Sequence, residues 1–286
     1  MSRRSVLQAM GTGVTAGLVT SGTTCAAGLQ EPYRANANIQ QSACQWCYNK
    51  MPLEELAAGA ARIGLKSVEL IGPEQFQVVK QYGLTCAITW GSRPIEKGLN
   101  RKENHDRCEQ QLREGIEFAA AEGIPNVICF SGNREGMTDD EGLENCAIGV
   151  KRVVGLAEEK GVTVCMELLN SKVNHKDYMC DHTPWGVQLV KRVGSERFKL
   201  LYDIYHMQIM EGDVIRTIQE NKDYMAHYHT GGVPGRHEID ESQELYYPAI
   251  IKAILETGYT GFLGQEFVPT RDPLQSLEQA FKICDV

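Results

Sequence analysis

From residue 39 onward, short β-rich runs alternate with amphipathic helical patterns eight times, and this alternation limits the fold more than any other feature of the chain. Strand-like runs are expected at 39–44, 67–70, 85–90, 126–130, 162–168, 198–204, 224–230 and 261–267. Helical patterns follow at 52–63, 74–82, 105–122, 139–160, 183–193, 213–220, 248–256 and 272–284, with Pro52 opening the first and Gly64, Gly83 and Gly123 closing three of them. A strand followed each time by a helix builds parallel sheet, because the helix carries the chain back along the sheet face. Eight such units complete a ring, so the expected fold is α/β, a single (β/α)8 TIM barrel. No GxGxxG follows the first strand, which removes the usual support for an open dinucleotide-binding sheet. Composition does not shift after residue 38, so one barrel domain is expected over 38–286.

The first 27 residues read as a separate segment. Ser2-Arg3-Arg4-Ser5-Val6-Leu7 is a twin-arginine pattern, a mildly apolar Gly- and Thr-rich stretch follows, and small residues at Thr24, Cys25, Ala26 and Ala27 suit a signal peptidase. Residues 1–27 are therefore expected to be a twin-arginine-type signal that exports the folded protein to the periplasm; the alternative is a cytoplasmic protein with a polar tail. The net charge of −8 argues against nucleic acid as a partner, since sequence-independent binding needs clustered Lys and Arg. No apolar run reaches the roughly 18 residues of a membrane span. The ten cysteines are scattered, many within apolar runs such as Val127-Ile128-Cys129-Phe130, and read as small buried hydrophobes rather than a disulfide framework. Cys44 and Cys47 have the spacing of half a zinc site, but no second pair completes it.

In barrels of this kind, reactive groups gather where strands end and the next loops begin. The last four strand patterns end in Cys165-Met166-Glu167-Leu168, Leu201-Tyr202-Asp203-Ile204, His227-Tyr228-His229-Thr230 and Gly264-Gln265-Glu266-Phe267. A lone carboxylate in an apolar strand is costly to bury. Three carboxylates and a histidine on consecutive strand ends suggest one shared cation that offsets the cost, and this ligand set suits Mn, Mg, Co or Zn. The expected metal ligands are Glu167, Asp203, His229 and Glu266. Strand side chains alternate, so Glu167 shares a face with Cys165 and Thr163, and Glu266 with Gly264 and Phe262. His227 faces the same way as His229 but deeper, which reads as packing or as support of the site. Glu69 closes the second strand and reads either as support or as a helix-entry charge. Trp46 and Trp90 follow the first and third strands; they either wall a substrate pocket or pack loop against barrel.

The motifs MELLN (166–170), YDIYHMQ (202–208), HYHTGGVPGR (227–236), ELYYP (244–248) and GQEF (264–267) give the chain from residue 38 onward a resemblance to the xylose-isomerase-like barrels, and within them to the hydroxypyruvate isomerase-like branch. The resemblance implies metal ligation by Glu167, Asp203, His229 and Glu266, with Glu167 and Glu266 as the catalytic acid/base pair. It also implies substrate contacts for His206 and Arg236. Arg236 would grip a substrate carboxylate with two N–H groups or, in the alternative, pair with Glu238 at the surface of an exposed Gly- and Pro-flanked loop. Two departures stand out. The hydroxypyruvate branch often carries Gln where this chain has His229. The sugar 3-epimerases, which carry His there, usually place an acid six residues after the first ligand glutamate, where this chain has Val173.

These residues suit proton transfer beside a carbonyl. A carboxylate can remove such a proton when the developing enediolate is stabilised by a bridging cation. Return to the neighbouring carbon gives isomerisation, return to the opposite face gives epimerisation, and loss of a neighbouring group gives elimination. The leading expectation is a metal-dependent isomerase of the hydroxypyruvate isomerase type, interconverting hydroxypyruvate and tartronate semialdehyde or a similar small keto/aldehyde sugar acid. The alternatives are a ketose 3-epimerase, an exported lyase or hydrolase of 3-keto-glycosides, and a sugar-binding protein, the last disfavoured because binding alone needs no base. The expected partners are one divalent metal ion and a small sugar or sugar-acid substrate, with a homo-oligomer left open.

Overall fold

Eight strands form: β1 (Gln40–Cys44), β2 (Ser67–Glu69), β3 (Ile88–Thr89), β4 (Asn126–Cys129), β5 (Thr163–Leu168), β6 (Phe198–Asp203), β7 (Met225–Thr230) and β8 (Phe262–Gln265). In this computed structural model, which describes residues 33–286, they pair in parallel in the order β2-β1-β8-β7-β6-β5-β4-β3. The seam between β2 and β3 is held by separate bonds rather than a ladder: Val68 N–H donates to Thr85 O, Thr85 N–H to Lys66 O, and Leu70 N–H to Ile88 O. The result is a nearly closed barrel with helices between the strands, the expected (β/α)8 fold. The twin-arginine-type segment, 1–27, lies outside the described residues. Among those residues no helix is long and apolar enough to cross a membrane.

The helices are α1 (Leu53–Ile63), α2 (Pro73–Lys80), α3 (His105–Glu122), α4 (Asp139–Lys151), α5 (Val154–Lys160), α6 (Thr183–Val193), α7 (Ile204–Met210), α8 (Val214–Asn221), α9 (Tyr247–Glu256) and α10 (Pro273–Cys284). β4 and β5 are buried at every residue, which is why they read as apolar runs rather than alternating ones. α3 stops at Gly123, whose φ of 70° is left-handed and free of β-carbon strain, with its N–H closing on Ala119 O. Thr138 caps α4 by accepting from Glu141 N–H, and Asp139, Asp140 and Glu141 offset the dipole of its first turn.

Three expectations are corrected. The helical pattern over 139–160 is two helices, broken at Arg152 and Val153, where a β-branched pair followed by Gly155 weakens helix propensity. The third strand keeps only Ile88 and Thr89, because only these two pair with β4. The sixth strand ends at Asp203, and an unexpected helix, α7, starts directly after it, with the Asp203 side chain accepting from His206 N–H as its cap.

Glu238 does not pair with Arg236. It accepts hydrogen bonds from Thr270 N–H at 2.8 Å, Thr270 Oγ1 at 2.9 Å and Ser276 Oγ at 2.8 Å, and it pairs with Arg271, so it ties the loop after β7 to the start of α10. Burial opposes its charge, but these donors outweigh burial and hold its pKa down at about 2. Its carboxylate therefore stabilises the fold above the ordinary Glu range, and that contribution is lost as pH falls through about 2. Denaturant unfolding should find Glu238→Gln less stable than wild type at pH 7, with the difference shrinking steadily below pH ~4.

Candidate metal centre

β5, β6 and β7 carry Glu167, Asp203 and His229 to one mouth of the barrel, and Glu266 directly follows β8 there. One donor atom from each lies within 4.8 Å of the other three, and all four residues are buried. His229 Nδ1 stands 2.7 Å from Glu266 Oε2 and 3.4 Å from Glu167 Oε1. Its other nitrogen, Nε2, is 2.8 Å from Glu69 Oε1.

Three buried carboxylates at this spacing repel one another unless positive charge sits among them. Arg236 provides some of it, with Nη2 2.6 Å from Glu266 Oε2 and 3.2 Å from Asp203 Oδ2. Even so, burial pushes the carboxyl pKa of Glu167 up and that of Asp203 well up. For Glu266, burial is outweighed by Arg236 and His229, which hold its pKa well below the carboxylate range. Burial likewise opposes charge on His229, and the Glu266 carboxylate overrides it, pushing the imidazole pKa well up.

These residues fit a divalent cation. Glu167 Oε1 and His229 Nδ1 are both buried without an aligned hydrogen-bond partner among the described residues, although His229 Nδ1 lies in close contact with Glu266. Two unsatisfied donor atoms within one small cluster are costly unless something binds them. Carboxylate oxygens with a single imidazole form the donor set of Mg, Mn, Co or Zn.

The structure brings the other expected site residues to the same place. Trp46 donates its Nε1–H to Glu266 Oε1 at 2.7 Å, so it holds a carboxylate as well as lining the pocket. Arg236 is not an exposed loop residue: its side chain turns inward, and its guanidinium lies over the rings of Trp46 and Tyr205 at 5.1 and 5.3 Å. Nη1 of Arg236 makes no hydrogen bond among the described residues. His206 is fully buried; its Nδ1 accepts from Asn170 N–H at 3.1 Å, which leaves the proton on Nε2, an unpartnered donor 3.6 Å from Asp203 Oδ2. Burial holds the His206 pKa well down, so the ring is neutral.

A cavity of about 250 Å³ adjoins the quartet. Leu70, Trp90, Ile95, Ile128, Phe130 and Leu169 make its apolar wall, while Glu167, Glu266, Arg236 and His175 supply its polar groups. A larger open groove of about 620 Å³ runs along α10 and contains none of the expected site residues. Sequence reading missed Tyr205, Asn170 and His175. Tyr205 and Asn170 lie inside two of the motifs above, but their direction depends on α7 and on the turn after β5, neither of which periodicity revealed.

Comparison with known proteins agrees with the fold. The family model described as xylose isomerase-like TIM barrel matches residues 52–284. A Mus musculus protein named as a hydroxypyruvate isomerase is 26% identical over 271 residues, covering 86% of this chain and 93% of its own. The 2-oxo-tetronate isomerase of Cupriavidus necator is 28% identical over 240 residues, covering 78% and 89%. Among solved structures, an AP endonuclease, family 2, from Brucella melitensis aligns with a TM-score of 0.71 and 27% identity, over 84% of this chain and 97% of that one.

If the quartet holds an ion, removing Asp203 should release it without removing a proton carrier. Asp203→Ala is expected to weaken Mn²⁺ binding by at least about a hundredfold, beyond what loss of a supporting residue causes. Chelator competition on the folded variant measures this, and unchanged affinity would remove Asp203 from the ligand set.

Proposed function

The chain belongs to the xylose isomerase-like TIM barrel family, and from that premise we propose that it is a metal-dependent isomerase of the hydroxypyruvate isomerase type. Its substrate on this reading is a small 2-keto-3-hydroxy acid, exchanged with the corresponding aldehyde acid. The observation that carries the reading is Glu167: a carboxylate buried in the quartet, facing the cavity, whose Oε1 has no aligned hydrogen-bond partner among the described residues and whose pKa burial raises.

A divalent ion, when bound, supplies a Lewis acid that lowers the cost of negative charge on the substrate carbonyl oxygen. The chain's own residues do the rest. With Oε1 of Glu167 given to the ion, its second oxygen would be left to take a proton from the carbon beside the carbonyl. Glu266 is its partner in the acid/base pair, held ionised with Trp46 and Arg236 on its two oxygens. The neutral His206 keeps its Nε2–H 3.6 Å from Asp203 Oδ2, beside the quartet, and is not among the residues that line the cavity. Arg236 offers Nη1–H to a carboxylate, which favours an acid over a neutral sugar.

Size and names point the same way. A cavity of about 250 Å³ has room for a short keto acid. The relatives named for hydroxypyruvate and 2-oxo-tetronate are named for short 2-oxo acids. Val173 favours isomerisation over 3-epimerisation, since the residue is 68% exposed and brings no carboxylate to the site. A small, largely apolar cavity and a net charge of −8 speak against nucleic acid as substrate.

The test is turnover of hydroxypyruvate, 2-oxo-tetronate and neutral ketoses by metal-loaded protein in deuterated water. The keto acids should isomerise, with deuterium entering at the carbon that receives the proton. Glu167→Gln and Glu266→Gln should each lose about 10²–10⁴ in turnover, the scale of general acid–base catalysis. Full activity in both variants would end the two-carboxylate mechanism, and turnover of neutral ketoses alone would favour the epimerase.

The Arg3-Arg4 pair leads us to propose export by the twin-arginine route, which delivers a folded barrel. Replacing both arginines with Lys should trap the uncleaved protein in the cytoplasm of a host with that route, whereas unchanged fractionation would contradict export by it.

A further inference from the structure

Behind the quartet lies a second buried cluster that the proposed reaction does not use. Oε1 of Glu69 stands 2.8 Å from His229 Nε2, 3.1 Å from His227 Nε2 and 3.2 Å from the donating Cys44 thiol. All four side chains are buried. One carboxylate oxygen facing three donors is an arrangement suited to an ionised acid.

Glu69 reaches this position by an unusual route. It sits on β2 and its histidine partners on β7, with β1 and β8 between them in the sheet. The carboxylate has to pass over the inner face of β8, and the residue there is Gly264. A β-carbon at Gly264 would collide with Glu69 Oε1 and stand 2.6 Å from His229 Cδ2. The missing side chain on β8 is therefore a condition for the contact.

We propose that Glu69 is a positioning residue of the metal centre: it holds His229 as the Nε2–H tautomer with Nδ1 turned to the quartet, with His227 and Cys44 clamping the same carboxylate oxygen and Gly264 leaving the gap it passes through. The proposal rests on the reading of the quartet as a metal site. An ionised carboxylate is an acceptor only, so the nitrogen facing it carries the proton and the other nitrogen keeps its lone pair. A carboxylate behind a metal-bound imidazole fixes the ring and raises its basicity, and losing one typically costs 10- to 100-fold in metal affinity. The competing arrangement is a second ion held by Glu69, His227 and His229. It would require His229 to give both nitrogens to metals, and so to lose its last proton.

The experiment is metal titration of the full metal-free chain with Mn²⁺ and, by chelator competition, Zn²⁺, together with long-range ¹⁵N–¹H spectra of the zinc-loaded wild type. Wild type should bind one ion per chain, with His229 protonated at Nε2 and metal-bound at Nδ1. Glu69→Gln removes the charge and keeps the shape, and should weaken binding about 10- to 100-fold while the metal-free protein still melts cooperatively; Gly264→Ala crowds both Glu69 and the His229 ring and should weaken it at least as much. If wild type binds no metal, the reading of the quartet fails, whatever Glu69 does. If wild type binds one ion and Glu69→Gln binds it equally well, the Glu69 proposal is overturned while the quartet stands, whatever Gly264→Ala does. Two ions per chain, one of them lost in Glu69→Gln, would make Glu69 a ligand and overturn the positioning role. The spectra need no variant: zinc on His229 Nε2 contradicts the proposal directly.

Discussion

The site depends on the electrostatic cost of placing three carboxylates around one imidazole inside a barrel mouth. Glu167, Asp203 and Glu266 converge on His229 with almost no access to water. Like charges so placed push one another's pKa values up unless a cation offsets them. Arg236 offsets part of the charge at Glu266, while burial first, and the Glu266 carboxylate after it, still raise the pKa of Glu167 and Asp203. A divalent ion held by the quartet would resolve the remainder by favouring the ionised carboxylates. The surrounding contacts are arranged around that need, with Trp46 on Glu266, Arg236 across two carboxylates and Glu69 behind His229.

The apolar cavity wall gives the charges their force. Leu70, Ile95, Ile128, Phe130 and Leu169 keep the region above Glu167 low in polarity, where a proton carrier keeps a raised pKa and electrostatic stabilisation is strong.

Much of this was legible in the sequence, for physical reasons. A parallel barrel imposes a strand–helix rhythm, and where caps were explicit the helix limits followed closely: 105–122 ends at Gly123 and 183–193 at Gly194. The quartet was legible because a carboxylate at the end of a buried apolar strand is out of place unless something binds it. α7 was not, because Ile204 and Tyr205 favour strand as readily as helix and extend the pattern of β6. Nor was the direction of Arg236. A loop rich in Gly and Pro carries no periodicity, and Arg236 takes a φ of 61° that few non-glycine residues adopt, with its N–H bonded to Gly232 O. The reach of Glu69 across β8 depends on which strands are neighbours in space, which a one-dimensional pattern does not contain.

The central claim is that Glu167, Asp203, His229 and Glu266 share one ion. Diffraction from crystals grown with Mn²⁺, collected at the manganese edge, tests it most directly. The account requires a single anomalous peak per chain, about 2.0–2.3 Å from His229 Nδ1 and from an oxygen of each of the three carboxylates, as first-row ions bind such donors. No peak at the quartet, or a peak centred between Glu69 and His227 instead, would contradict it.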